Sequence, residues 1–280
     1  MEHFKNKLMI NNNWETIKKI QQGMSICRYG DGEFTIILGG RTRLQPADND
    51  LVNRLKLILK DNSQNILIGI PEAFNENYEK YTEKASNFWK NYNEKNLEKI
   101  ISLLEPNKEY FSSQITWFYT DVKNREDCKK YVDELKKIWE NKNLLIVEGE
   151  QTRMGLGNDL FKFAKSIKRI LCPSENAYNS YNEILNTCME FSRDYLVLIA
   201  LGATATILAY DLANNGYQAL DFGHVDLEYE WYLKNADNKI KIVNKFNKEI
   251  NDYENIVGNI DSSYEKSIVK RIKKGGTTVC

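Results

Sequence analysis

Seven short apolar runs of strand length punctuate the chain, at residues 25–29, 65–71, 114–119, 143–148, 168–173, 195–201 and 218–222. Several are nearly continuous in Ile, Leu and Val rather than alternating, as in strands buried on both faces. Helical patterns lie between them and predict helices at 14–22, 50–60, 83–104, 125–141, 158–166, 176–192, 203–215 and 226–233. Strand and helix alternate through most of the chain, which predicts an α/β fold with a mainly parallel sheet and helices on both faces. No linker-like Pro/Gly/Ser stretch and no repeat breaks the pattern. The reading is one domain over 1–280, with a helical elaboration around 75–140. The polar, charged stretch 75–107 is expected beside the sheet and over a substrate cleft. The basic tail, Ser267 to Lys274, reads as a solvated terminal helix.

Composition narrows the partners. Lys plus Arg and Asp plus Glu both number 39, so the formal charge is zero and no electrostatic partner such as duplex DNA is indicated. Five cysteines without a CxxC pair suggest reduced thiols in a cytoplasmic protein. The N-terminus lacks the apolar core of a signal peptide, and no apolar run reaches the length of a membrane span.

Candidate chemistry gathers at three polar, glycine-rich turns that follow predicted strands. In an open parallel sheet ligands bind beyond the carboxyl ends of the strands, so the three turns are expected to share one site. The first is Arg28-Tyr-Gly30-Asp31-Gly-Glu33. Its glycines permit a tight turn. Asp31 and Glu33 supply hard oxygen ligands suited to Mg²⁺ or Mn²⁺, ions that share their coordination with substrate phosphates. Arg28 is placed to bind a phosphate or to pair with Asp31. The plainer readings are an Asp-Gly hairpin or a helix cap.

The second turn runs from Glu148 through Arg153, Gly155, Gly157 and Asn158. It reads as a diphosphate-binding loop, with Asn158 or Asp159 capping the predicted helix behind it and Arg153 adding charge. The third opens at Gly202, with the Thr204 hydroxyl at a helix start. The strand after that helix ends in Asp221, followed by His224 and Asp226. These two are expected to face the pocket and place the donor sugar or acceptor hydroxyl, with Asp226 the better candidate for general base. Asp226 and Glu230 share a helix face. Acids at a helix N-terminus are also favoured by its dipole alone.

The ordered set Arg28-Tyr-Gly-Asp-Gly-Glu-Phe34, Glu148-Gly-Glu, Arg153-Met-Gly-Leu-Gly-Asn-Asp-Leu-Phe161, Leu201-Gly-Ala-Thr-Ala-Thr206 and Asp221-Phe-Gly-His-Val-Asp-Leu-Glu-Tyr-Glu-Trp231 resembles the bacterial GT-D-type glycosyltransferases. The likeness covers roughly residues 14–235. It implies a Rossmann-like fold and transfer of a sugar, glucose in the family's adhesin-modifying members, from a UDP-sugar to a glycan or glycoprotein. It also implies Mn²⁺ or Mg²⁺ at an Asp-x-Glu motif matched by Asp31 and Glu33. Donor sugar, acceptor, stereochemistry and oligomeric state do not follow from it. The competing readings are an S-adenosylmethionine-dependent methyltransferase, with Asp221 on the ribose, and a non-catalytic sugar-nucleotide-binding subunit.

Overall fold

The near-continuous apolar runs are buried on both faces. In β5 (Asn143–Gly149), Leu144 and Ile146 join one core while Leu145 and Val147 join the other. β7 (Tyr195–Ala200) divides in the same way, Leu196 and Leu198 against Val197 and Ile199. This is the two-residue period of a pleated strand, with water excluded from both sides. Each fully buried Leu, Ile or Val side chain contributes about 1.5–3 kcal/mol, in the strands and in the helices that cover them.

The computed structural model describes residues 7–247 and 261–274. Its other strands are β1 (Met9–Ile10), β2 (Ser25–Arg28), β3 (Ile66–Ile70), β4 (Glu109–Ser112), β6 (Ser166–Cys172), β8 (Gln218–Asp221) and β9 (Ile268–Arg271). Among the described residues they form one sheet of order β1-β4-β3-β2-β8-β7-β5-β6-β9, and every paired neighbour is parallel. One face carries α2 (Asp31–Ile37), α3 (Asn49–Leu59), α4 (Glu83–Ile101), α6 (Tyr181–Met189) and α7 (Ala203–Asn214). The other carries α1 (Asn13–Gln21), α5 (Cys128–Lys137) and α8 (Val225–Leu233). A short α9 (Ser262–Ser267) leads into β9. No helix of the described residues is long and apolar enough to cross a membrane.

Several segments differ from the pattern-based reading, which also lacked β1 and β4. The expected strand at 114–119 is a 3-10 turn and loop after β4. Its apolar residues pack sideways instead, with Phe118 against Tyr131 of α5 and the Tyr131 hydroxyl donating to the Ile115 carbonyl. The expected helix at 158–166 does not form; turns run to β6, which claims Ser166 onward. The tail is not a helix: Ile268 to Arg271 add a parallel edge strand to β6. The β-branched Ile-Val pair suits that role, and its exposed Lys and Arg discourage further edge pairing. The periodicity also missed α2, which begins directly at Asp31.

β2 and β8 are neighbours, yet the chain leaves β2 toward β3 on one side and leaves β8 toward β9 on the other. Divergence of this kind opens a crevice at the carboxyl ends of the two strands.

Candidate active site

A cavity of about 660 Å³ occupies that crevice. The turns after β2, β5, β7 and β8 all reach it, through Arg28 to Glu33, Thr152 and Met154, Gly202, and Asp221 to Asp226 respectively. The three glycine-rich turns therefore share one end of the sheet. Of the individual side chains assigned to the site, however, several do something other than expected.

Asp31 opens α2 with its side chain exposed in the cavity wall. Gly30 is the cap residue, and its N–H donates to Glu33 Oε2 at 2.8 Å. Glu33 thus closes the first turn of its own helix and lines the cavity at once. Arg28 is only 8% exposed. Its guanidinium donates to the carbonyls of Asp221, Ser113 and Gly223, to Thr116 Oγ1, and to Asp221 Oδ1. Those five bonds use every N–H that an arginine has. Arg28 is therefore a strut joining the ends of β2, β4 and β8, not a phosphate ligand. Burial pushes the Asp221 carboxyl above its ordinary value, and the Arg28 charge opposes that shift.

The second turn reaches the cavity only through Thr152 and Met154; Arg153, Gly155, Gly157 and Asn158 do not line it. Arg153 adopts a left-handed backbone, φ 52°, and reaches the Asn244 carbonyl. Gly155 also has positive φ, and a Cβ there would lie 2.6 Å from the Phe161 ring, so packing demands this glycine. Gly157 has open space where a Cβ would lie and is glycine for its φ of 78°. Asn158 caps no helix. Its amide donates to Asp226 Oδ1 and Glu230 Oε1, and its carbonyl oxygen accepts from Leu160 N–H. Glu148, wholly buried, accepts from Met154 N–H, Arg169 and the Tyr264 hydroxyl, and so fixes the start of the loop.

Gly202 lines the cavity at φ 55°, ψ −143°, a region reserved for glycine. It begins α7 without a side-chain cap, so the helix N-terminus is open to an anion on the cavity side. Thr204 is buried, and its hydroxyl donates to Gln45 Oε1, not into the cavity.

The acids of α8 act as a hub. Asp226 Oδ1 accepts from Gly155 N–H and Asn158, and its Oδ2 lies 2.7 Å from Lys245 Nζ. Glu230 Oε1 also contacts Lys245, whose side chain is 2% exposed. Burial pushes the Glu230 carboxyl up, but Lys245 and Asn158 more than offset this and leave it below its ordinary value. Asp226 touches the cavity edge, but its Oδ1 is hydrogen-bonded and its Oδ2, which accepts no hydrogen bond, is held in the ion pair with Lys245. It clamps the 153–158 loop and the 240s segment to α8, which contradicts its reading as a free general base. Glu228 points elsewhere and accepts from Tyr119 N–H, Thr120 N–H and Thr120 Oγ1. His224 lies on the cavity wall in left-handed conformation, its ring 4.3 Å from that of Trp117.

Burial pushes the Glu228 carboxyl up to about 7. An acid whose folded pKa is raised adds stability below its unfolded value, and that contribution is lost as pH rises through the folded value. Parent protein should therefore lose stability between about pH 4.5 and 7 relative to Glu228→Gln, whose amide can serve the same three partners. Melting temperatures of both proteins across that range check this; parallel profiles would refute it.

Pattern reading missed Trp117, which it put in a strand, and Lys239, which pairs with Asp121 and sits 4.4 Å over the Trp117 ring. It also did not single out the start of α4, although the expectation that this region covers the cleft matches Thr82 to Trp89 in the wall.

A family model described as "Glycosyltransferase GT-D fold" matches residues 26–250. A probable glycosyl transferase, Gly, of Streptococcus gordonii is 37% identical over 90% of this chain, and glycosyltransferase GlyD of Streptococcus pneumoniae is 36% identical over the same share. The chain spans only 37% and 31% of the lengths of these two relatives. Among solved structures, a domain described as having "a distinct glycosyltransferase fold" superposes with TM-score 0.91 at 37% identity, covering 95% of this chain and 96% of that one. A glycosyltransferase from Streptococcus sanguinis superposes with TM-score 0.90 at 35% identity, over 95% of this chain and all of that one.

Proposed function

The chain belongs to the GT-D-fold glycosyltransferase family, and from that premise we propose that it transfers a hexose, glucose in our reading, from a UDP-sugar to a glycan or glycoprotein acceptor. The observation that carries this reading is the meeting of two helix N-termini, at Gly30–Asp31 and at Gly202, with two carboxylates on one cavity. The N-termini favour the diphosphate. Asp31 and Glu33 would repel it unless a cation stands between them.

That donor set fits Mn²⁺ or Mg²⁺. Among the described residues no group of three or more His, Cys, Asp or Glu side chains is placed to hold a metal unaided. An ion that takes one or two carboxylates and completes its shell with water and substrate phosphates needs no such group. Asp31 and Glu33 would hold it, and when bound it neutralises the leaving diphosphate as a Lewis acid. In the reaction the bond from the sugar's anomeric carbon to the diphosphate breaks, the acceptor oxygen bonds to that carbon, and the acceptor's hydroxyl proton passes to the His224 imidazole. Gly202 and the α7 N-terminus stabilise the departing negative charge. Because Asp226 is clamped, we assign the acceptor side to His224, whose ring Trp117 holds in place.

The methyltransferase reading loses its ribose ligand, since Asp221 is buried and spent on Arg28 and Thr206. We place the protein in the cytoplasm, supported by four buried free cysteines, Cys27, Cys128, Cys172 and Cys188.

Calorimetric titration tests the donor. UDP is expected to bind with Mn²⁺ and to lose most of its affinity in EDTA, while S-adenosylmethionine gives no heat. Slow release of UDP from UDP-glucose separates an enzyme from a binding subunit. Metal-independent UDP binding would remove the role of Asp31 and Glu33; absence of UDP release would favour the binding subunit.

A further inference from the structure

Of the large apolar side chains left exposed among the described residues, Phe88 is the one that lines the cavity; it is 47% exposed. It lies on the second turn of α4, on the same face as Lys84 four residues earlier, which also lines the cavity. The ring is held rigidly from behind. It packs edge-on to Trp89 at 5.2 Å, and Trp89 in turn packs on Phe74 at 6.1 Å. Trp89 is nearly buried, so α4 has no freedom to turn Phe88 inward. On the other side Phe88 stacks with Tyr92 at 6.1 Å and 22°. The Tyr92 hydroxyl donates to the Asp31 carbonyl at 3.2 Å. Phe88 is therefore fixed four residues, roughly 6 Å along the axis, from the tyrosine that touches the Asp31 turn.

We propose that Phe88 is the platform for the acceptor sugar, stacking against the C–H face of a pyranose while Lys84 meets its hydroxyls. This rests on the glycosyl-transfer reading and deepens it. An exposed aromatic beside a polar cleft offers a flat apolar surface at little entropic cost, which suits a ligand with one apolar and several polar faces. Its place on the exposed rim, beside the tyrosine that touches the Asp31 turn, assigns it to the acceptor and leaves the interior to the donor.

The test uses the whole chain with UDP-glucose and Mn²⁺, and a panel of p-nitrophenyl hexosides as acceptor probes. Phe88→Ala should raise KM for the accepted glycoside about tenfold or more, with UDP release to water and UDP affinity unchanged. Phe88→Trp should restore the parental KM. An unchanged acceptor KM overturns the platform. So does a loss of UDP affinity or of hydrolysis in Phe88→Ala, which would place the donor there, and so does a parent that accepts none of the panel. A parent that neither binds UDP nor releases it from UDP-glucose refutes the transferase reading itself; normal hydrolysis with an indifferent Phe88→Ala refutes the platform alone.

Discussion

Asp31→Ala is expected to lower sugar transfer by about 10²–10³-fold, the usual cost of removing one group that stabilises developing charge, with almost no change in melting temperature. The Asp31 side chain is exposed in the cavity and does not cap α2, whose N-cap residue is Gly30. Its structural share is limited to the favourable field of the helix N-terminus, about 0.3–1 kcal/mol. Glu33 differs, because its carboxylate accepts from the Gly30 N–H. Glu33→Ala removes that bond and costs about 1 kcal/mol of stability along with activity. Glu33→Gln keeps an acceptor oxygen for Gly30 and removes only the charge. The expected pattern is thus parental melting for Asp31→Ala and Glu33→Gln, a lowered melting point for Glu33→Ala, and impaired Mn²⁺-dependent UDP binding in all three. Thermal melts and UDP titrations with Mn²⁺ or EDTA read both quantities. Full transfer by Asp31→Ala, or by the parent in EDTA, would leave these acids as helix-start residues.

The elements built on a strong local period were legible in the sequence, and the polar contacts between them were not. Runs such as Leu144 to Val147 and Leu196 to Ile199 have one physical use, a strand covered on both faces, and the alternation of strand and helix then implies parallel order. That order places the glycine-rich turns at one end of the sheet. Where two demands met in one segment, the period misled. Ile115 to Tyr119 are apolar because they pack under α5 beyond the strand end, which looks the same in sequence as a strand. Asn158 looked like a cap, but its amide had a stronger use across the turn on Asp226 and Glu230. Arg28 looked like a phosphate ligand because its five acceptors, from Ser113 to Gly223, are distant in sequence. Lys245 left no signal because it lies in an aperiodic stretch and acquires meaning only when folded against α8.

That lysine supplies the decisive test of Asp226. A general base and a buried clamp predict different patterns over two variants. If Asp226 were the base, Asp226→Asn would lose about 10²–10⁴-fold in kcat, while Lys245→Met, which leaves the carboxylate in place, would lose far less. For a clamp the order reverses in stability and levels in activity. Lys245→Met leaves two buried carboxylates, Asp226 and Glu230, without their shared cation, and removing one partner of a buried pair costs about 3–5 kcal/mol. Asp226→Asn is milder, about 1–3 kcal/mol, because Lys245 keeps Glu230 and only Gly155 and Asn158 see an altered acceptor. Both variants loosen the 153–158 loop and the 240s segment, so comparable, modest losses of kcat are expected from each. The double variant should be more stable than the sum of the single losses, since the groups share one network. Denaturant melts and transfer rates for the three variants decide the matter. A large kcat loss confined to Asp226→Asn, with Lys245→Met folded and active, would return the proton to Asp226 and take it from His224.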